Sequence, residues 1–171
     1  MAKAQDEIYL GNPNLKKANT EIQFTQEQIK EWIKCKNDPI YFTKNYVKIV
    51  SLDEGLVQFK MWDFQEKLIT NFHENRFNIC KMPRQTGKST TCVSYLLHYA
   101  VFNDSVNIGI LANKAATARE LLGRLQTAYE NLPKWMQQGI ISWNKGSLEL
   151  ENGSKILAAS TSASAVRGMS F

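Results

Sequence analysis

The chain has 171 residues, 43% hydrophobic and 11% aromatic, enough to bury one core and favouring a single domain that folds at least in part. Its formal net charge of +5 suits a phosphate-rich partner, although so small an excess is equally common on proteins that never touch nucleic acid. Cys35, Cys80 and Cys92 are odd in number with no close pair, no apolar stretch nears the roughly 20 residues of a membrane span, and Met1 to Glu7 lacks a secretory h-region; a soluble, intracellular protein in a reducing compartment is expected.

The polar opening through Asn19, broken by Gly11, Asn12 and Pro13, reads as an arm with little structure of its own. Thr25 and Gln28 form a capping box ahead of Ile29, Trp32 and Ile33, which share one helical face. Asp38-Pro39 starts a second helix that buries Phe42 and Tyr46. Val47 to Phe59 reads as two strands around an Asp53-Glu54-Gly55 turn, and Asp63 as the cap of a helix carrying Phe64, Leu68, Ile69 and Phe72. At Arg76 a βαβ pattern begins. Phe77–Met82 reads as a strand, Lys88–Phe102 as a helix, Val106–Ala112 as an apolar strand and Ala115–Asn131 as a helix, an alternation that implies parallel strands buried on both faces. Shorter strands follow at Ile140–Trp143, Ser147–Leu150 and Lys155–Ala159, the last two joined by an Asn152-Gly153 turn. Ser160 to Ala165 reads as a loop leading to Val166-Arg167-Gly168.

The segment Met82-Pro83-Arg84-Gln85-Thr86-Gly87-Lys88-Ser89 matches a phosphate-binding loop except at its first position, where Met82 replaces glycine. Successive backbone N–H groups wrap a polyphosphate, Gly87 lets the chain approach, and the following helix aims its positive end at the anion. Lys88 is placed to neutralise the β- and γ-phosphates of ATP and the Ser89 hydroxyl to coordinate Mg2+. Pro83, Arg84, Gln85, Thr86, Gly87, Lys88, Ser89 and Thr90 are therefore the expected nucleotide contacts. A bare Gly-Lys-Ser is common, and it is the expected strand before and helix after that lend this one weight. Arg84 either lies against the phosphates as an arginine finger, reaches a neighbouring subunit, or faces solvent; the residues alone leave these open.

These residues resemble the large terminase subunits of tailed bacteriophages, especially the T-even type, whose phosphate loops also carry an Arg-Gln pair. The likeness continues in order through Phe59-Lys60-Met61-Trp62-Asp63-Phe64-Gln65, Gly109-Ile110-Leu111-Ala112-Asn113-Lys114, Trp143-Asn144-Lys145-Gly146-Ser147 and Val166-Arg167-Gly168-Met169-Ser170-Phe171, about two thirds of the chain. It implies an α/β chain: a partial P-loop NTPase core of the ASCE, RecA-like kind over 76–171, with a parallel sheet flanked by helices. A flexible arm over 1–20 and a small, mostly helical subdomain over 21–75 would precede it. The implied activity is ATP hydrolysis driving double-stranded DNA into a procapsid. Arg84 and Lys88 would be catalytic, Gln65 would recognise adenine, since an amide donates and accepts along one edge, and Arg167 would be a sensor. Implied partners are DNA, a portal ring and a small terminase subunit, with oligomers only in the assembled motor, in the cytoplasm of the infected host and not in the mature virion. An aspartate and a catalytic glutamate are expected beyond Phe171, so the chain reads as a fragment that binds nucleotide without hydrolysing it.

No clustered carboxylates suit two-metal cleavage, and His73 and His98 lack neighbours at ligand spacing. Phe64, Phe72, Trp32, Tyr95 and Tyr99 read as packing, and Lys114, Arg119 and Arg124 as a solvated face with a Glu120–Arg124 pair in preference to a DNA contact. Two rival readings stand: a RecA-like lobe of a helicase or translocase, and a non-hydrolysing nucleotide- or partner-binding module.

Overall fold

The computed structural model describes residues 7–51 and 53–161. Its first element corrects the expectation of an unstructured arm. Strands β1 (Ile8–Tyr9) and β2 (Asn12–Lys16) form a hairpin whose two turn residues, Leu10 and Gly11, both have positive φ. The anchors lie far along the chain. Leu15 is 1% exposed, the Gln137 side chain accepts from Lys16 N (3.0 Å) and donates to Asn14 O (2.9 Å), and Lys16 Nζ meets Glu151 at 2.8 Å. Burial pushes the Glu151 carboxyl up, but Lys16 and the backbone N–H groups of Gly139 and Asn19 outweigh it and hold its pKa below the usual range.

Helix α1 (Gln26–Asn37) starts at the expected capping box: Gln28 N donates to Thr25 Oγ1 and Thr25 N to Gln28 Oε1. Its buried stripe is rotated from the one expected. Gln28, Glu31, Trp32 and Cys35 turn inward, while Ile29 and Ile33 are about half exposed. Helix α2 (Pro39–Tyr46), capped by Asp38, buries Phe42 completely. Strands β3 (Lys48–Ser51) and β4 (Gly55–Gln58) pair antiparallel, with Gly55 at φ +71, and helix α3 (Asp63–Glu74) follows. The cap position of α3 is Trp62, one residue before the Asp63 expected there.

No strand forms over 77–82. Phe77 is 83% and Ile79 100% exposed, and the segment runs on as coil until helix α4 (Lys88–Phe102). A strand exists only with a ladder partner, and no strand among the described residues pairs with this one. After α4 come β5 (Asn107–Ala112), helix α5 (Ala115–Glu130), a short 3-10 turn at Lys134–Met136, and strands β6 (Ile140–Trp143), β7 (Ser147–Leu150) and β8 (Lys155–Ser160).

The sheet order is β5-β8-β7-β6. Only β5 and β8 run parallel, in register from Asn107↔Lys155 to Ala112↔Ser160, while β7 is antiparallel to both β8 and β6. The sheet is thus mixed and not the parallel one expected, because the strand beside β5 belongs to a later hairpin turned at Gly153 (φ +81). Nor is β5 covered on both faces: Ile108 and Ile110 are buried, whereas Leu111 is 44% exposed. One core joins the two halves, with Leu122, Leu125 and Tyr129 of α5 and Leu97 and Val101 of α4 packed around Ile156 and Leu148.

At the α1–α4 junction His98 is 2% exposed among Phe42, Phe102 and Tyr95. Its Nε2 bonds the Cys35 carbonyl at 2.8 Å and burial pulls its pKa down to about 4, so the imidazole is a neutral core group.

Candidate functional site

The chain tightens between Pro83 and Lys88 because two residues leave the right-handed region: Gln85 has φ 63 and Gly87 φ 72. Alternation of hand along a short backbone segment is the condition under which successive N–H groups can face one concavity. The Thr86 hydroxyl donates back to Pro83 O (3.1 Å), and Lys88 Nζ donates across the loop to Met82 O (3.3 Å). Gly87 occupies the cap position of α4, accepting from Thr91 N and Thr91 Oγ1, so Lys88 and Ser89 are the first helical residues. Fifteen residues of helix thus point their positive end at the loop.

Two of the cavities that meet at Thr90 are lined by the loop. One, of about 480 Å³, is lined by Pro83 through Thr90 together with Arg124 of α5, and no carboxylate lines it among the described residues. The other, of about 400 Å³, lies on the far side of Gly87 and is flanked by Ile49, Phe59, Trp62 and Phe64. Gln85, Thr86, Gly87 and Thr90 line both, so the loop is the wall between a polar chamber and a more apolar one.

Gln65 is built into that wall. It is 4% exposed, its Oε1 accepts from Trp62 N (2.9 Å) at the start of α3, and its Nε2 donates to Thr86 O (3.1 Å). A Cβ on Gly87 would lie 2.5 Å from Gln65 Nε2. The left-handed φ favours glycine at position 87, and the Gln65 amide would have to shift to admit a Cβ there. Cys92, one turn further along α4, has its thiol pushed up to about 11 by burial, with Cys80 adding and Lys88 opposing, and is protonated at neutral pH.

The model of the family described as terminase large subunit, T4likevirus-type, N-terminal matches residues 79–171, more than half of the chain. The chain belongs to this family. Large terminase subunits are components of phage DNA-packaging machinery and are generally ATPases. The terminase match starts at Ile79, so it contains the whole loop and Lys88 and leaves Gln65 and everything before it outside.

The fold brings Pro83, Arg84, Gln85, Thr86, Gly87, Lys88, Ser89 and Thr90 of this terminase chain around one chamber, with Gln65 behind them. Arg167 and the Val166-Arg167-Gly168 segment lie outside the described residues. Sequence reasoning overlooked two contributors. Trp62, part of the terminase-like phrase but assigned no role there, is 70% exposed beside the second cavity, and Phe64, expected to pack, is 42% exposed on the same rim. Arg124 was assigned to a solvated face, and its pairing with Glu120 at 2.6 Å is as expected, but the same side chain lines the polar chamber.

Proposed function

We propose that this chain carries the nucleotide-holding part of a DNA-packaging ATPase, with the loop from Pro83 to Thr90 gripping the β- and γ-phosphates of MgATP in a P-loop NTPase manner. The observation that carries the reading is Gly87: left-handed, with the Gln65 amide packed on it, and followed directly by Lys88 and Ser89 on the rim of a polar chamber. That combination serves close approach of a polyphosphate to backbone amides at a helix N-terminus. Arg84 contributes a second cation to the chamber, placed to act on the γ-phosphate in cis. The base then falls in the second cavity, against Trp62 and Phe64, whose faces suit an adenine ring; Gln65 keeps one amide N–H and one lone pair free for its edge.

A magnesium site made wholly of protein is not supported, since no group of three or more His, Cys, Asp or Glu gathers among the described residues. What fits is an ion carried in by the nucleotide, with Ser89 supplying one hydroxyl, as magnesium bound mainly to phosphates and water requires. Bound there, the ion would offset the charge of the phosphates. No carboxylate lines the chamber among the described residues, and we expect the chain to hold ATP without turning it over. In the packaging motor the partners are double-stranded DNA, the portal ring and the small terminase subunit, with Arg167 as a sensor of the phosphate state.

Isothermal titration of the chain with MgATP, beside a steady-state phosphate-release assay, tests this. Saturable binding lost in Lys88→Ala, with negligible release, is the expected result. Binding indifferent to Lys88 would remove the phosphate-loop reading, and robust Lys88-dependent release would remove the binding-only one.

A further inference from the structure

The polar chamber has a cation that its loop does not supply. Arg124 comes from the middle of α5, and its azimuth is set by the core: Leu122 and Leu125, on either side of it in sequence, are both fully buried, which turns α5 so that Arg124 lies at the edge of its packed face. Gly123 beside it presents no side chain to crowd the approach, and α5 packs along α4, the helix that Lys88 opens. The guanidinium is half exposed and, among the described residues, is held through Nη2 to Glu120 Oε1 at 2.6 Å, by a carboxylate that is itself 61% exposed. Exposed i,i+4 pairs of this kind are weakly held. A polyphosphate in the same chamber offers a planar guanidinium several charged oxygens at bidentate spacing, a stronger set of acceptors than one solvated carboxylate.

We propose that Arg124 is a polyphosphate-binding residue of this site and that Glu120 is its internal competitor, so that the nucleotide's phosphates take the guanidinium from Glu120 when they bind. The inference rests on the phosphate-loop reading and adds to it a contact from α5, which ties the helix after β5 to the occupancy of the loop. Arg124 then reports the phosphates to α5, while Lys88, whose Nζ reaches Met82 O, remains a contact made from within the loop.

Titration of the whole chain with inorganic tripolyphosphate, which has no base, isolates the phosphate contacts. Arg124→Ala is expected to weaken binding about tenfold, the scale of one lost charge-assisted contact. Glu120→Gln is expected to tighten it about twofold to threefold and to have no effect in the Arg124→Ala background. A gain in affinity cannot arise from a folding defect, so the second variant guards the first. Wild-type affinity in Arg124→Ala alongside loss of binding in Lys88→Ala would overturn this inference and leave the loop standing, as would an unchanged affinity in Glu120→Gln. Unchanged binding in Lys88→Ala would overturn the phosphate loop and this inference together.

Discussion

Replacing Gln65 by alanine removes two hydrogen bonds at once, Trp62 N to Oε1 and Nε2 to Thr86 O, from a side chain that is 4% exposed. Each neutral bond of this sort contributes about 1 kcal/mol net, and the space left behind adds to the loss, so destabilisation of about 2–3 kcal/mol is expected. At about 2–4 °C per kcal/mol for a chain of this size, the melting temperature falls by about 5–10 °C. The more telling consequence concerns ligands. With Thr86 released, the loop must be ordered on binding at a cost on the order of 1 kcal/mol, which lowers affinity about threefold to tenfold for any ligand of the loop, base or no base. Titration with ATP and with tripolyphosphate, beside thermal denaturation, reads both effects. If Gln65 positions the loop and also reads the base, tripolyphosphate weakens by this factor and ATP by more. Should ATP weaken while tripolyphosphate binds as before, Gln65 reads the base alone and the positioning argument is wrong; an unchanged melting temperature would refute the bond energies as well.

Acid should unlock the α1–α4 junction. His98 has its pKa lowered from 6.5 to about 4, so the neutral form is favoured in the fold, and its contribution is complete above about pH 6.5 and lost as pH falls toward 4. Between pH 7.5 and 4.5 this is about 2–3 kcal/mol of unfolding free energy, and urea titrations at the two values should show it shrink in His98→Phe; an equal pH dependence in that variant would exclude His98 as the source. The N-terminal hairpin offers a contrast between strand and turn: Leu15→Ala, at 1% exposure, should cost about 2–5 kcal/mol in the same urea assay, and Leu10→Ala, at 87%, no more than about 0.5. Similar values for the two would mean that the hairpin does not dock as described.

What could be read from the sequence alone was whatever is decided within a turn or two of chain. The Thr25–Gln28 box, the Asp38-Pro39 start, the α4 boundaries at Lys88 and Phe102 and the Asn152-Gly153 turn all depend on groups at most a few residues apart, and each stands where expected. The left-handed turn at Gly87 belongs to the same class, because the loop proposed to hold phosphates is one short run of residues. Tertiary structure decided the rest. Which strand lies beside β5, the absence of a strand over 77–82, the docking of β2 through Gln137 and Glu151, the half-turned face of α1, the bond from Gln65 to Thr86 and the reach of Arg124 into the chamber all join residues from separate elements. Propensity and capping act along the chain over a few residues, whereas ladder partners and burial are supplied across space by segments far away in the sequence, 121 positions for Lys16 and Gln137, and no local pattern records which of them will arrive.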